Sequence, residues 1–199
     1  MTTVKSLKTL ILAGILIPGI AFAQFSDSYT FLKAVRDRDG AKATDMISKP
    51  GSVLIDTRDQ SNGETALHIV TRARDLTWMR FLVAKDAKLD TRDIGGNTPL
   101  MIAAQIGFIE GAQFLIDRHA GVDIANASGE TPLIRAVQNR DAQMVLLLLH
   151  SGANPNKVDN AAGLSARQYA ERDRRSTAIL KIIDETKSTK KAPVIAGPK

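Results

Sequence analysis

The sequence predicts an all-α fold in which about five helix–turn–helix units stack side by side, joined by short β-hairpin-like connections. Three observations lead to this expectation: one motif returns at a fixed stride, helical patterns of apolar residues follow each copy, and the composition is that of a folded chain. The 199 residues are 44% hydrophobic and 24% charged, as expected for one globular domain. Aromatic residues make up only 5%, so we expect a core of aliphatic and small side chains.

The repeated motif reads Asn-Gly-Glu-Thr-Ala-Leu-His in its first clear copy. The clear copies occupy residues 62–68, 95–101 and 128–134, and their threonines are 33 residues apart. A weaker copy lies at 162–166, and residues 31–39 match 133–141, so the chain contains five copies with degraded outer ones. Because each helix pair alone exposes too much apolar surface, stacking of neighbouring units must supply the core.

Capping chemistry explains how each unit forms its helices. Thr98 and Thr131 suit the N-cap position, where a hydroxyl accepts an orphan backbone N–H, and a proline follows each of them at the first helical position. Gly107 can adopt the left-handed conformation that ends the first helix. Arg74 and Arg140 replace this glycine in their copies, so we expect backbone strain at both.

These motifs resemble the ankyrin repeat family. The residues that carry the resemblance are Thr-Ala-Leu-His at 65–68 and Thr-Pro-Leu at 98–100 and 131–133. The resemblance covers about residues 26–186 and implies an ankyrin-repeat solenoid in a domain at 24–186. The expected repeats lie at about 26–56, 57–90, 91–123, 124–156 and 157–186. In the last repeat Arg167 stands where a core leucine is expected, and that repeat is polar, as a C-terminal capping unit must be.

The two ends of the chain are predicted to lie outside this domain. Residues 1–23 have the features of a secretory signal peptide: a basic start, an apolar run at 10–17 and the cleavage site Ala-Phe-Ala at 21–23. The alternative, an uncleaved membrane anchor, is disfavoured because the apolar stretch is shorter than the roughly 20 residues that span a bilayer. The pattern is typical of bacterial general secretion and predicts a periplasmic location.

The basic character of the chain also comes from its ends. The net charge is +6, but residues 1–23 and 187–199 together contain six lysines and no acidic residue. Removing those six from the 27 basic residues leaves 21, which equals the 21 acidic residues. A neutral domain lacks the basic surface that nucleic-acid binding needs, so we expect no nucleic-acid partner. Residues 187–199 are interpreted as a disordered basic tail.

No catalytic or metal-binding constellation is found in the sequence. His68 lies in the repeat motif and is interpreted as structural, while His119 and His150 lack metal-ligand spacing. Four aspartates recur near the repeat junctions and are interpreted as turn formers that bind nearby backbone amides: Asp56, Asp59, Asp90 and Asp93. The absence of cysteine excludes disulfides and thiolate chemistry. We therefore predict a non-enzymatic protein with no cofactor, no metal and no small-molecule substrate.

The resemblance implies a concave binding groove, formed by the first helices of the repeats and by the hairpin tips. Helical spacing and tip position select the following residues for this protein-binding surface: Ile69, Asp93, Ile94, Ile102, Ile106, Asn126, Arg135 and Asn139. Ile69 and Ile102 have an alternative role, which is to pack between neighbouring repeats. Ile94, at a turn, is harder to explain as a core residue.

The function expected from these features is recognition of a partner protein in the bacterial periplasm. The sequence does not identify that partner, and we expect the chain to be a monomer. Two alternatives stay open: an accessory factor of a periplasmic oxidative-stress enzyme, and a secreted effector directed at a host and released outside the cell. A weak contact between the lysine-rich tail and anionic membranes is a further alternative.

Overall fold

The computed structural model describes the backbone of residues 19–189 and the side chains of residues 27–186. Over this range the chain forms ten α-helices in consecutive pairs, which confirms the all-α repeat solenoid. The helices are α1 (Gly19–Arg36), α2 (Gly40–Ile47), α3 (Ala66–Arg72), α4 (Leu76–Val83), α5 (Pro99–Ile106), α6 (Ile109–Asp117), α7 (Pro132–Gln138), α8 (Ala142–His150), α9 (Ala166–Arg172) and α10 (Thr177–Thr189). Short 3₁₀ turns lie at Leu54–Asp56 and Arg174–Ser176.

The helices form two layers. The first helices of the five pairs, α1, α3, α5, α7 and α9, pack side by side, and the second helices α4, α6, α8 and α10 form the layer behind them. The core between the layers consists of aliphatic and small side chains. Leu100 and Leu133 are fully buried, and so are Ala103 and Ala136, whose small side chains let neighbouring helices approach closely.

The predicted helix caps are present. The hydroxyls of Thr98 and Thr131 each accept a backbone N–H at 3.2 Å, and prolines occupy the first helical positions of α5 and α7. Gly107 ends α5 with a φ of 63°, in the left-handed region. Arg74 and Arg140 adopt the same conformation, with φ values of 54° and 58°, which confirms the expected strain at these non-glycine residues.

Contacts with the next repeat explain why arginine occupies these strained positions. Arg140 binds Asp173 of the next repeat at 2.6 Å, and Arg38, with a φ of 58°, binds Asp75 in the same way at 2.7 Å. In the repeat after Arg74, Phe108 occupies the position that the aspartate has in the other two pairs. The Arg74 guanidinium therefore lies over the Phe108 ring, 5.9 Å from its centre. These arginines therefore connect one repeat to the next, which a glycine could not do.

The aspartates at the repeat junctions divide into two groups. Asp59 and Asp93 accept backbone N–H groups within their own hairpins, from Ser61 at 2.9 Å and Asn97 at 2.8 Å, as expected. Asp56 and Asp90 do not cap nearby turns; they accept N–H groups from the following repeat, and Asp123 does the same. The three donors, in chain order, are Lys88 at 2.9 Å, Gly121 at 3.0 Å and Asn154 at 3.0 Å. These bonds set the register between successive repeats.

The last repeat closes the solenoid as a capping unit. Arg167 is not a core residue: it is half-buried and forms ion pairs with Glu171 at 2.9 Å and with Asp184 of α10. Ile179 and Ile183 of α10 supply apolar contacts on the inner side instead. Within the described residues the outer surface of this repeat is charged and exposed, as a capping unit requires.

The outer helices extend past the repeat boundaries expected from the sequence. Helix α1 begins at Gly19 rather than near residue 26, and α10 ends at Thr189 rather than at 186. Most of the predicted signal peptide, residues 1–18, and most of the predicted tail, residues 190–199, lie outside the described residues. Within residues 19–189 no helix combines the length and the apolar character needed to cross a membrane.

The core assignment can be tested with two leucines of the same helix. Leu148 of α8 is fully buried, whereas Leu146 is 40% exposed. Leu148→Ala should lower the free energy of unfolding by about 2–5 kcal/mol, because it leaves a cavity. Leu146→Ala should cost about 1 kcal/mol, because less apolar surface returns to water. Urea denaturation of both variants measures the difference, and equal losses would contradict the packing of α8.

Candidate interaction surface

The hairpin tips of the repeats are connected by backbone hydrogen bonds. Each tip amide donates to the carbonyl of the preceding hairpin, in three successive steps: Ile94 N to Asn62 O at 2.9 Å, Ala127 N to Gly95 O at 3.0 Å and Asn160 N to Ser128 O at 2.8 Å. Within one hairpin the Asp93 N–H donates to Asn97 O at 3.0 Å. The tips therefore form a ladder along one edge of the solenoid, and we call the face of the first helices beside it the concave face, after the groove that the resemblance implies.

Ile94 places a large, exposed hydrophobic side chain on this ladder. It is 69% exposed, in agreement with its expected position at a turn. Gly63 of the preceding hairpin has a φ of 72°, and a Cβ there would lie 2.8 Å from the Ile94 nitrogen. The close approach of the two hairpins thus requires a glycine and holds the Ile94 side chain outward.

The isoleucines of the first helices differ in burial. Ile102 is fully buried, so its assignment to an exposed groove face was wrong, and the alternative of packing between repeats holds for it. The physical reason is that α5 packs more extensively against its neighbours α3 and α7 than α3 packs against α1. Ile69 and Ile106 are half-buried. Ile69 lines a shallow depression of about 180 Å³ together with Val35 and Ala73.

Arg135 is not the free surface charge that its position suggested. It is half-buried and binds the Glu130 carboxylate at 2.7 Å. Glu130 is itself buried, and the side-chain amide of Asn126 donates to it at 3.0 Å. Asn139 donates to the carbonyl oxygen of Gln105 at 2.8 Å. Replacing Arg135 by an acid would place a second carboxylate beside Glu130, so such a variant would report on stability as much as on binding.

Asp93 and Asn126 serve mainly to close their hairpins. Both are half-buried. Asp93 accepts the Asn97 N–H and its side-chain amide at 2.8 and 3.1 Å, and the Asn126 side-chain oxygen accepts the Glu130 N–H at 3.0 Å. These polar residues therefore shape the tips that carry the exposed side chains.

Sequence reasoning missed a cleft at the N-terminal end of the concave face. We call it the N-terminal cleft: it has a volume of about 260 Å³ and is lined by Ser28, Tyr29, Leu32, Arg36, Arg58, Asp59, Gln60 and Ser61. Tyr29 aligns with the N-cap Thr131 through the match of 31–39 to 133–141. Helix α1 does not start there but continues from Gly19, so Ser28 and Tyr29 lie within the helix and line the cleft opposite the hairpin that follows.

The charges of this cleft are only partly compensated. Arg36 forms an ion pair with Asp59 at 2.5 Å. Hydrogen bonds from the Ser61 hydroxyl and backbone N–H, together with Arg36, lower the pKa of Asp59 to about 2. Arg58 donates to the backbone oxygen of Arg92 at 2.5 Å but forms no ion pair within residues 27–186. A cation is therefore available at the mouth of the cleft.

His68 has the structural role that the motif indicated. It is fully buried; its Nδ1 accepts the Thr65 backbone N–H at 3.2 Å, and Nε2 donates to the carbonyl oxygen of Asn97 at 3.0 Å. Burial lowers the pKa of His68 and keeps the ring neutral. The part of the chain that the structure describes contains no group of three potential metal ligands.

Comparison with protein families agrees with the architecture. A family model described as ankyrin repeats, in three copies, matches residues 34–126 and 92–159. The matched residues make up more than half of the 199 residues, and the chain belongs to the ankyrin repeat family. It is thus a protein–protein interaction module, and proteins of this kind are typically non-enzymatic.

The Arg36–Asp59–Ser61 contacts predict a specific pH dependence. The folded pKa of Asp59, about 2, lies below its unfolded value of about 3.9, so its contribution to stability is complete above about pH 5 and is lost as the pH falls through 2. Asp59→Asn should therefore be less stable than the parent at neutral pH, and this difference should shrink in acid.

Urea titrations at a series of pH values between about 7 and 2 measure this difference. Asp45→Asn is the matched control, because Asp45 is exposed on α2 and its contact with Lys49 is long, at 3.8 Å. A stability difference for Asp59→Asn that stays constant over the whole pH range would contradict the role given to Asp59.

Proposed function

We propose that this ankyrin repeat protein is exported to the periplasm and recognises a partner protein there, through its hairpin tips and the N-terminal part of its concave face. The observation that carries the proposal is the exposure of Ile94, whose side chain is 69% exposed. Backbone hydrogen bonds hold its hairpin rigid, both within the hairpin and to the hairpins on either side. Exposed apolar anchors on preorganised loops contribute to binding because little conformational entropy is lost when they are buried.

The rest of the concave face supports the proposal by its charge. Its basic residues Arg36, Arg72 and Arg135 are each paired with an acid of the solenoid, at 2.5, 2.7 and 2.7 Å. Such a surface has no strong field of one sign, so it favours a protein partner that presents a mixed apolar and polar surface over a polyanion. The proposal assigns the chain no catalytic step.

Binding through the tip can be tested with a single charge. Ile94→Asp should abolish capture of the partner from periplasmic extract, because a desolvated carboxylate would replace an apolar contact. The cost in folding stability should stay within about 0.5 kcal/mol, as for other exposed sites. Affinity capture followed by mass spectrometry compares the proteins retained by the parent and the variant.

Val53→Asp is the matched control for this experiment. Val53 is 72% exposed in the loop that follows α2, so the same charge is introduced on an equally exposed aliphatic residue away from the tips. Circular dichroism checks that both variants are folded. If the folded Ile94→Asp variant retains the same proteins in the same amounts as Val53→Asp, the tip is not part of the binding surface.

Export is supported by the leader features of residues 1–23 and has its own test. Cleavage after Ala23 should yield a mature chain that starts at Gln24, since Ala21 and Ala23 fit the small-residue rule. Helix α1 crosses this site, so the mature helix would begin several residues after Gly19. Intact-mass measurement of protein from a periplasmic fraction checks this, and a chain that still carries residues 1–23 would contradict the proposal.

A further inference from the structure

We infer that the N-terminal cleft accepts one large apolar side chain of the partner, and that Arg58 binds the carboxylate of an aspartate or glutamate next to it. The inference rests on the proposed function, since it names the kind of partner segment that the concave face recognises. It goes beyond binding through hairpin tips, because it gives a binding role to a cleft. This cleft lies where α1 continues past the point at which the other repeats begin their first helix.

The size and lining of the cleft point to a single side chain. Its volume of about 260 Å³ lies below the roughly 300–1,000 Å³ of small-molecule pockets. Leu32 lies at its base, only 2% exposed, and Tyr29 stands at its side with 65% of its surface exposed. An aromatic or large aliphatic side chain inserted between them would bury the Tyr29 ring, and aromatic pairs add stabilisation beyond the buried area.

The charge distribution selects the neighbouring residue. Arg36 and Asp59 neutralise each other inside the cleft. Arg58 uses one N–H for the backbone oxygen of Arg92, which leaves further guanidinium donors for a ligand. A carboxylate matches these donors in geometry and charge, and the paired hydrogen bonds are stronger than neutral ones. The structure therefore favours an acidic residue of the partner directly beside the apolar one.

The position of the cleft allows the same segment to reach the other exposed anchor. The hairpin with Arg58 and Asn62 is hydrogen-bonded to the hairpin with Ile94, so the cleft and Ile94 lie on adjacent steps of one ladder. On its other side, beyond Arg36, the depression lined by Ile69 continues the groove between α1 and α3. An extended peptide segment fits this arrangement better than a compact ligand does.

Selection from a random peptide library displayed on phage tests the inference directly, because the library samples many candidate partner segments at once. The bait is the mature chain, residues 24–199. We expect enrichment of Phe, Tyr or Leu beside Asp or Glu. With Arg58→Glu as bait the acidic preference should change to Lys or Arg, while Arg174→Glu, at an exposed arginine of the last repeat, should keep it. No enrichment, or the same acidic preference with Arg58→Glu, would overturn the inference.

A second measurement separates the two parts of the site. For one enriched peptide, amidated at its C-terminus so that only side-chain carboxylates remain, replacing the acidic residue by its amide should weaken binding to the parent about tenfold. Tyr29→Ala should weaken binding of the unaltered peptide by a similar factor. Equal affinity of the acid and amide peptides would overturn the role of Arg58, and binding that needs a free C-terminal carboxylate would overturn the choice of a side chain.

The folding of the variants must be checked, because Arg58 lies in a hairpin with acidic residues and Arg58→Glu adds another negative charge to it. Arg58→Gln removes the charge without adding an acid and should lose the acidic preference as well; thermal melts confirm that both variants fold. Capture from periplasmic extract then distinguishes the two proposals. If Ile94→Asp loses the partner while Arg58→Gln and Tyr29→Ala keep it in full, the cleft is rejected and the proposed function stands. If all three keep it, both are rejected.

Discussion

Burial of apolar surface between neighbouring repeats is the constraint on which the whole structure depends. One helix pair cannot cover its own apolar face, so Leu100 and Leu133 become fully buried only because repeats stand on both sides of them. Neighbouring repeats must also be aligned with each other in a single register. Asp56, Asp90 and Asp123 supply it, since each binds a backbone N–H of the following repeat. The strained Arg38 adds an ion pair between the first and second repeats, and the strained Arg140 adds one between the fourth and fifth.

The fold could be predicted from the sequence because its signals are local. Caps such as Thr98 and Thr131, and the left-handed Gly107, act within a few residues, and their stride reveals the repeat. The site could be predicted only in part, because burial depends on neighbours in space. Ile69 and Ile102 occupy the same position in their repeats, yet Ile102 is fully buried and Ile69 is not. Periodicity alone cannot separate them.

The dependence on neighbours in space also explains why the sequence revealed neither the ion pair of Arg135 nor the N-terminal cleft. The Arg135–Glu130 pair joins two positions of one repeat whose distance depends on the hairpin geometry. The cleft exists because α1 continues through the position where other repeats start their first helix. One signal was present in the sequence: Tyr29 stands where later repeats have a capping Thr or Ser, so no cap was encoded there. In this repeat the missing cap goes with a helix that begins earlier, at Gly19.

Specificity in a repeat protein has to come from positions at which the repeats differ. Residues that recur in three of the repeats, such as the capping threonines and the junction aspartates, bind groups of their own repeat or of the next one and have few free donors or acceptors. On the concave face the charges of Arg36, Arg72 and Arg135 are likewise bound by acids of the solenoid itself. Tyr29 and Ile94 break the repeat pattern, and both are exposed. Arg58 recurs as Arg92 in the next hairpin but not in the one after it, where Ala125 takes the position, and it forms no ion pair within the described residues. Because the hydrogen-bonded hairpins hold Arg58 and Ile94 on adjacent steps, their spacing is set before a partner arrives, and the entropic cost of arranging them has already been met in folding.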